Sequence, residues 1–79
     1  MYFVYVLKSI KTGKYYKGLT NNIERRFKQH IERKVVSTKY QLPLKLIHVE
    51  ICPNRLEARV LEKYLKSGYG REFIHEIDQ

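Results

Sequence analysis

The sequence predicts an α+β fold: a small, mainly antiparallel three-stranded sheet flanked by helices, in the order ββαβα(α). Three observations carry this. Residues 2–8, YFVYVLK, are rich in β-branched and aromatic types, and a second such run follows a glycine-bearing turn, the pattern of a hairpin. Two later segments switch to a helical period, and each opens on Asn-x-x-Glu. Between those two helices, LPLKLIHVE reads as one further strand.

Each element has its own signal. The turn SIKTGK offers Gly13 for a positive φ, and residues 14–18 return as the second strand, ending at Gly18. Along a strand, residues two apart share a face. Tyr5 is therefore grouped with Phe3 and Leu7, and Tyr16 with Gly18. Tyr2 and Tyr15 fall on the opposite face, as packing or surface residues. Pairing of the two strands brings Tyr5 and Tyr16 within reach of one another.

In the first helix Ile23, Phe27 and Ile31 form an apolar stripe, with Asn21 and Glu24 as its capping box. Arg26 and His30 are four apart, so they stack on one face at the rim of that stripe. A sheltered guanidinium there suits a phosphate, which it can hold through two parallel hydrogen bonds. KVVSTKYQ is a polar, basic connection, and Pro43 suits the first residue of the third strand, expected over Leu44 to Glu50. The second helix opens on Asn54 and Glu57, with Leu56, Val60, Leu61, Tyr64 and Leu65 as its apolar face. Capping accounts for Glu57. Glu62 lies off the stripe, and spacing alone makes it a solvated glutamate facing Lys66 at i+4. Gly68 stops this helix, and YGREFIHEIDQ adds a short terminal one. Residues 1–79 are expected to form a single domain.

Composition narrows the function. Cys52 is the sole cysteine, which excludes a disulfide framework and a thiolate zinc site and fits a reducing cytoplasm. No apolar run approaches a membrane span, and Met1 leads directly into a strand, so no targeting segment is expected. Sixteen Lys and Arg against eight Asp and Glu give a net charge of +8. A small domain so basic points to a polyanion, nucleic acid first, with solubility as the plainer explanation. Lys17, Arg25, Arg33, Lys34 and Lys39 are the candidate phosphate contacts.

FVY at 3–5 and YKG at 16–18 resemble the two half-motifs of the GIY-YIG nucleases. The resemblance continues through TNNIERRFKQH and EARVLEKYLKSGYGREF and so covers essentially the whole chain. It is closest to small single-domain bacterial members related to the amino-terminal nuclease domain of the excision-repair subunit UvrC. By this resemblance Tyr5 closes the first half-motif and Tyr16 opens the second, with Gly18 as a structural residue at the site. Arg26 matches the family's helix arginine, His30 a position held by histidine or tyrosine, and Glu62 the metal-binding glutamate. The chain departs from the pattern at Phe3, Lys17 and Leu19, and it has no asparagine after the metal helix.

The resemblance implies a structure-specific, repair-related endonuclease with one divalent metal, Mg²⁺ or Mn²⁺, on Glu62. DNA is expected ahead of RNA, with a protein partner or oligomer supplying specificity. Arg26 would stabilise the phosphate, and one tyrosine, Tyr5 for preference, would take a proton from water. A tyrosine side chain ionises only near pH ~10, so such a base needs a nearby cation or a proton relay. The alternative is a nucleic-acid-binding module on the same fold that does not cut.

Overall fold

The computed structural model describes residues 1–78 and contains, in chain order, β1 (Tyr2–Ser9), β2 (Tyr15–Thr20), α1 (Ile23–Ile31), β3 (Leu44–Cys52), α2 (Arg55–Leu65) and α3 (Gly68–Ile77). The fold is α+β. The sheet order is β2-β1-β3, and both pairings are antiparallel. As the central strand, β1 is covered on both faces, which is why it reads as a nearly continuous apolar run. Val4 and Val6 point to one face, where they pack with Cys52, Ala58, Leu65 and Ile74 to form the core under α2 and α3. Tyr5 points to the other face, toward α1. A bulge in β3 at Ile47 shifts the β1–β3 register between Val6 and Leu7.

The hairpin closes as the turn chemistry predicts. Gly13 has φ +77°, and its amide donates to the Ser9 carbonyl at 2.8 Å. β2, however, does not end at Gly18. It runs on to Thr20, which puts Gly18 within the strand, directly opposite Tyr5. Tyr16 pairs with Leu7, so Tyr5 and Tyr16 are diagonal neighbours on one face rather than directly opposed.

The cap of α1 is Asn22, not Asn21. Its side-chain oxygen accepts the Arg25 amide at 3.0 Å. In a capping box a glutamate would satisfy the cap residue's own amide. Here the Thr20 hydroxyl accepts that amide at 3.1 Å, leaving Glu24 without the task. The helix also buries a different side than the stripe suggests. Ile31 is exposed, while His30 is buried because both its ring nitrogens find partners.

The cap of α2 is as expected, with the Asn54 side chain accepting the Glu57 amide at 2.9 Å. The buried face is not. α2 has two apolar rows, and the row beginning at the small Ala58 lies on the sheet, with Leu61, Glu62 and Leu65. Leu56 and Val60 are 75% and 63% exposed, and Tyr64 is exposed too. A small residue lets a helix approach strands closely, and that row takes Glu62 inward with it. Gly68 does not simply stop α2. It is the first residue of α3, whose cap is Ser67. Gly70 makes the tight α2–α3 corner possible, since a Cβ there would overlap the Tyr64 carbonyl and the Leu65 backbone. Pro43 precedes β3, following a cis peptide, and β3 extends two residues past Glu50.

At the far end Asp78 fastens α3 to the sheet. Its Oδ2 accepts from the Lys8 ammonium and from the Tyr15 hydroxyl, each at 2.6 Å. No helix among the described residues is long and apolar enough to cross a membrane.

Candidate active site

The site begins at the centre of the sheet. Tyr5 is only 3% exposed, and its ring lies over Gly18 of the neighbouring strand. A Cβ at Gly18 would stand 2.5 Å from the Tyr5 hydroxyl oxygen, so this residue must be glycine for the ring to lie there. The hydroxyl then meets α1: Tyr5 Oη is 3.1 Å from His30 Nε2, and the two rings meet edge-on at 5.8 Å. His30 Nδ1 is 2.7 Å from the hydroxyl of Thr38, a fully buried residue of the α1–β3 connection.

Burial, and secondarily the Arg26 charge, pushes the His30 pKa down to about 4. The ring is therefore neutral at pH 7, with one nitrogen donating and the other accepting. With Nδ1–H donating to Thr38 Oγ1, Nε2 accepts the Tyr5 proton. In that tautomer the Tyr5 hydroxyl, the His30 ring and the Thr38 hydroxyl form one buried hydrogen-bonded chain.

Around this chain a cavity of about 220 Å³ opens at the β2 edge. Tyr5, Tyr16, Gly18, Arg26, His30 and Glu62 all line it, and Lys17 joins them. Arg26 is half-buried, and its guanidinium donates to Gln29 Oε1 at 3.0 Å. Burial, then the charges of Arg71 and Lys66, lower the pKa of Lys17. Glu62 comes from the opposite side of the sheet edge and is 7% exposed. Arg59 holds its Oε1 at 2.5 Å, and Lys66 approaches Oε2 at 3.6 Å.

Glu62 is the one carboxylate among the residues lining this cavity; the hydroxyls of Tyr5, Tyr16 and Ser37 are its other oxygen groups, beside the His30 ring and the cations Lys17 and Arg26. Among the described residues no three of His, Cys, Asp and Glu gather as a ready-made cage. A single carboxylate fits a hard divalent cation that keeps most of its waters.

The other basic candidates lie elsewhere. Arg33 and Lys39 line a separate cavity. Arg25 is exposed on α1 and bonded to Asn21, and Lys34 is exposed and paired with Glu32 at 3.5 Å. Sequence reasoning did not find Thr38, Ser37, Val35 or Arg59. The first three lie in a stretch that reads as a polar connection. Arg59 gave only the i,i+3 spacing to Glu62, a spacing most helices contain.

Residues 1–74 match the sequence model of the GIY-YIG catalytic domain. A UPF0213 protein of Bacillus licheniformis is 41% identical over 66 residues, which is 82% of this chain and 67% of the relative. A UPF0213 protein of Clostridium perfringens is 39% identical over 69 residues, covering 84% and 71%. The solution NMR structure of a UPF0213 protein from Bacillus halodurans superposes with a TM-score of 0.58 at 30% identity, over 98% of this chain and 85% of that one.

Proposed function

Because the chain belongs to the family of GIY-YIG catalytic domains, we propose that it is a nuclease hydrolysing phosphodiester bonds, in DNA ahead of RNA, at the cavity on the β2 edge. The observation that carries this is the convergence of Tyr5, Tyr16, Arg26, His30 and Glu62 on one cavity, although they come from four separate elements.

The roles follow from position. Arg26 holds the non-bridging oxygens of the phosphate. Tyr5 accepts a proton from a water in the cavity while its own hydroxyl proton passes to His30 Nε2. Thr38 keeps the ring turned to receive it. The water oxygen forms the new bond to phosphorus as the bond to the leaving oxygen breaks. Tyr16, the diagonal neighbour, orients the water. Glu62 would hold a divalent ion, which would supply neutralisation of the negative charge that develops during the reaction.

A second reading draws on Arg59. That guanidinium occupies the carboxylate that would bind the metal, which favours a module that binds nucleic acid without cutting it. One experiment separates the two. Purified protein is incubated with linear and branched DNAs and RNAs in Mg²⁺, in Mn²⁺ and in chelator. Metal-dependent cleavage supports the nuclease, and binding without cleavage under every condition supports the module. A cytoplasmic location and a role in repair are parts of the same proposal.

A further inference from the structure

We propose that the cavity between the hairpin turn and residues 33–42 is a second nucleic-acid subsite, holding a phosphate and an unpaired base beside the scissile phosphodiester. The preferred substrate then carries a single-stranded flank next to the cut. This rests on the nucleic-acid reading of the first cavity and adds a substrate class to it.

The cavity measures about 170 Å³ and is lined by Lys11, Arg33, Lys39, Tyr40 and Leu42. Three cations share this wall, and no carboxylate does. None of the three forms an ion pair among the described residues. Like charges gathered in this way repel until an anion joins them. The walls are built rather than loose. Ser9 Oγ donates to the Gln41 carbonyl at 2.7 Å, Thr12 Oγ1 to Gln41 Oε1 at 2.9 Å, and the Ile10 amide to the Pro43 carbonyl at 2.9 Å.

Arg33 supplies the second observation. It follows the last turn of α1 with φ +63°. Its amide donates to the His30 carbonyl and the Lys34 amide to the Gln29 carbonyl, the paired bonds of a Schellman ending. Glycine fills this position without steric cost, whereas an arginine is strained there. The chain keeps a cation at a backbone position that disfavours it, and that cation lines the cavity.

Tyr40 indicates the form of nucleic acid. The residue is 74% exposed, with the Lys39 ammonium 5.0 Å from its ring centroid. An exposed aromatic beside cations is the device by which single strands are bound, the base stacking and the phosphate pairing. A blunt duplex offers the phosphates but keeps its bases stacked within. The α1–β3 connection lines both cavities. Val35 and Ser37 line the first, and Arg33 and Lys39, each only two residues away, line the second. Two residues span at most about 7 Å, so one strand can occupy both.

The test is fluorescence anisotropy in chelator, with a labelled single strand and a blunt duplex of equal length, alongside melting temperatures and cleavage in Mn²⁺. Tyr40→Ala should weaken single-strand binding ~5- to 100-fold, as expected for one lost stack, and leave duplex binding nearly unchanged. Tyr40→Phe should bind both like the wild type. Arg33→Gly should weaken binding and flatten the single-strand salt slope by about 0.7, with a melting temperature at or above wild type. Equal effects of Tyr40→Ala on both nucleic acids, no effect on either, or an unchanged salt slope in Arg33→Gly would overturn the subsite. A wild type that shows this binding pattern but cuts nothing removes the nuclease and leaves the subsite. A wild type that cuts, while Tyr40→Ala binds single strands normally, removes the subsite alone.

Discussion

The Tyr5 hydroxyl lies 3.1 Å from Nε2 of His30, and the opposite nitrogen of that ring lies 2.7 Å from Thr38. One buried imidazole thus links a strand tyrosine to a loop threonine. Thr38→Val keeps the shape of the side chain and removes the hydroxyl. A buried ring nitrogen then lacks a partner, at a cost on the order of 1–3 kcal/mol. The cleavage rate should fall and its pH profile should move, because the ring is no longer held in one tautomer. Thr38→Ser should restore both. A pH profile unchanged in Thr38→Val would show that the threonine only fills space.

Stability should depend on pH in two separate steps. The pKa of His30 falls from its ordinary value of 6.5 to about 4 on folding. Between these values the unfolded chain binds a proton that the folded chain refuses, so stability is full above pH ~6.5 and is lost as pH falls toward ~4. The loss is on the order of 3 kcal/mol. Hydrogen bonds from Lys8 and Tyr15 hold the Asp78 carboxyl below its ordinary 3.8. Its contribution is therefore lost only at still lower pH, as the pH falls through that depressed value. Denaturant melts from pH 7 to about 2 check both steps. His30→Gln should abolish the upper step and Asp78→Asn the lower one.

Strand alternation makes Tyr15 a packing or surface residue, and its hydroxyl is bonded to Asp78 at 2.6 Å. Tyr15→Phe should lower the melting temperature and leave cleavage unchanged, because this contact lies on the sheet face away from Tyr5. Thermal melts and initial rates of the variant are sufficient to check it.

Glu62 and Arg59 should act in opposite directions on metal. Glu62→Gln should abolish Mn²⁺ binding measured by calorimetry. Arg59→Gln should strengthen it by up to about fivefold, as expected when a part-exposed ion pair stops competing for the carboxylate. Glu57→Gln should loosen only the start of α2 and keep the metal. Metal lost in Glu57→Gln and kept in Glu62→Gln would reverse the assignment.

The sequence was legible where local chemistry decides. Runs of β-branched and aromatic residues marked β1 and β2, Gly13 marked the turn, and Asn54 marked the start of α2. It was misleading where packing selects between equivalent patterns. Leu56, Val60 and Tyr64 form as good an apolar row as the one that is buried, so nothing local told which row meets the sheet. Glu62 read as solvated on spacing for the same reason, and only the family resemblance singled it out. Asn21 and Asn22 are adjacent and chemically equal, and Thr20, by taking the cap's amide, chose between them. Thr38 had no local signal at all, because its partner lies eight residues earlier and meets it only after α1 has docked.

The most direct test of the central claim is the cleavage rate of Tyr5→Phe and Tyr16→Phe beside Tyr2→Phe, each measured with its melting temperature. The phenylalanine ring keeps the packing over Gly18 and removes the hydroxyl that faces His30. The Tyr5→Phe rate should fall ~10²–10⁴-fold, the loss typical of a missing general base. Tyr16→Phe should also cut poorly and Tyr2→Phe should cut like the wild type, both melting close to it, whereas Tyr5→Phe leaves the buried His30 Nε2 without its partner and should lose on the order of 1–3 kcal/mol of stability. Equal rates in Tyr5→Phe and Tyr2→Phe would contradict the account, leaving Tyr5 as a packing residue.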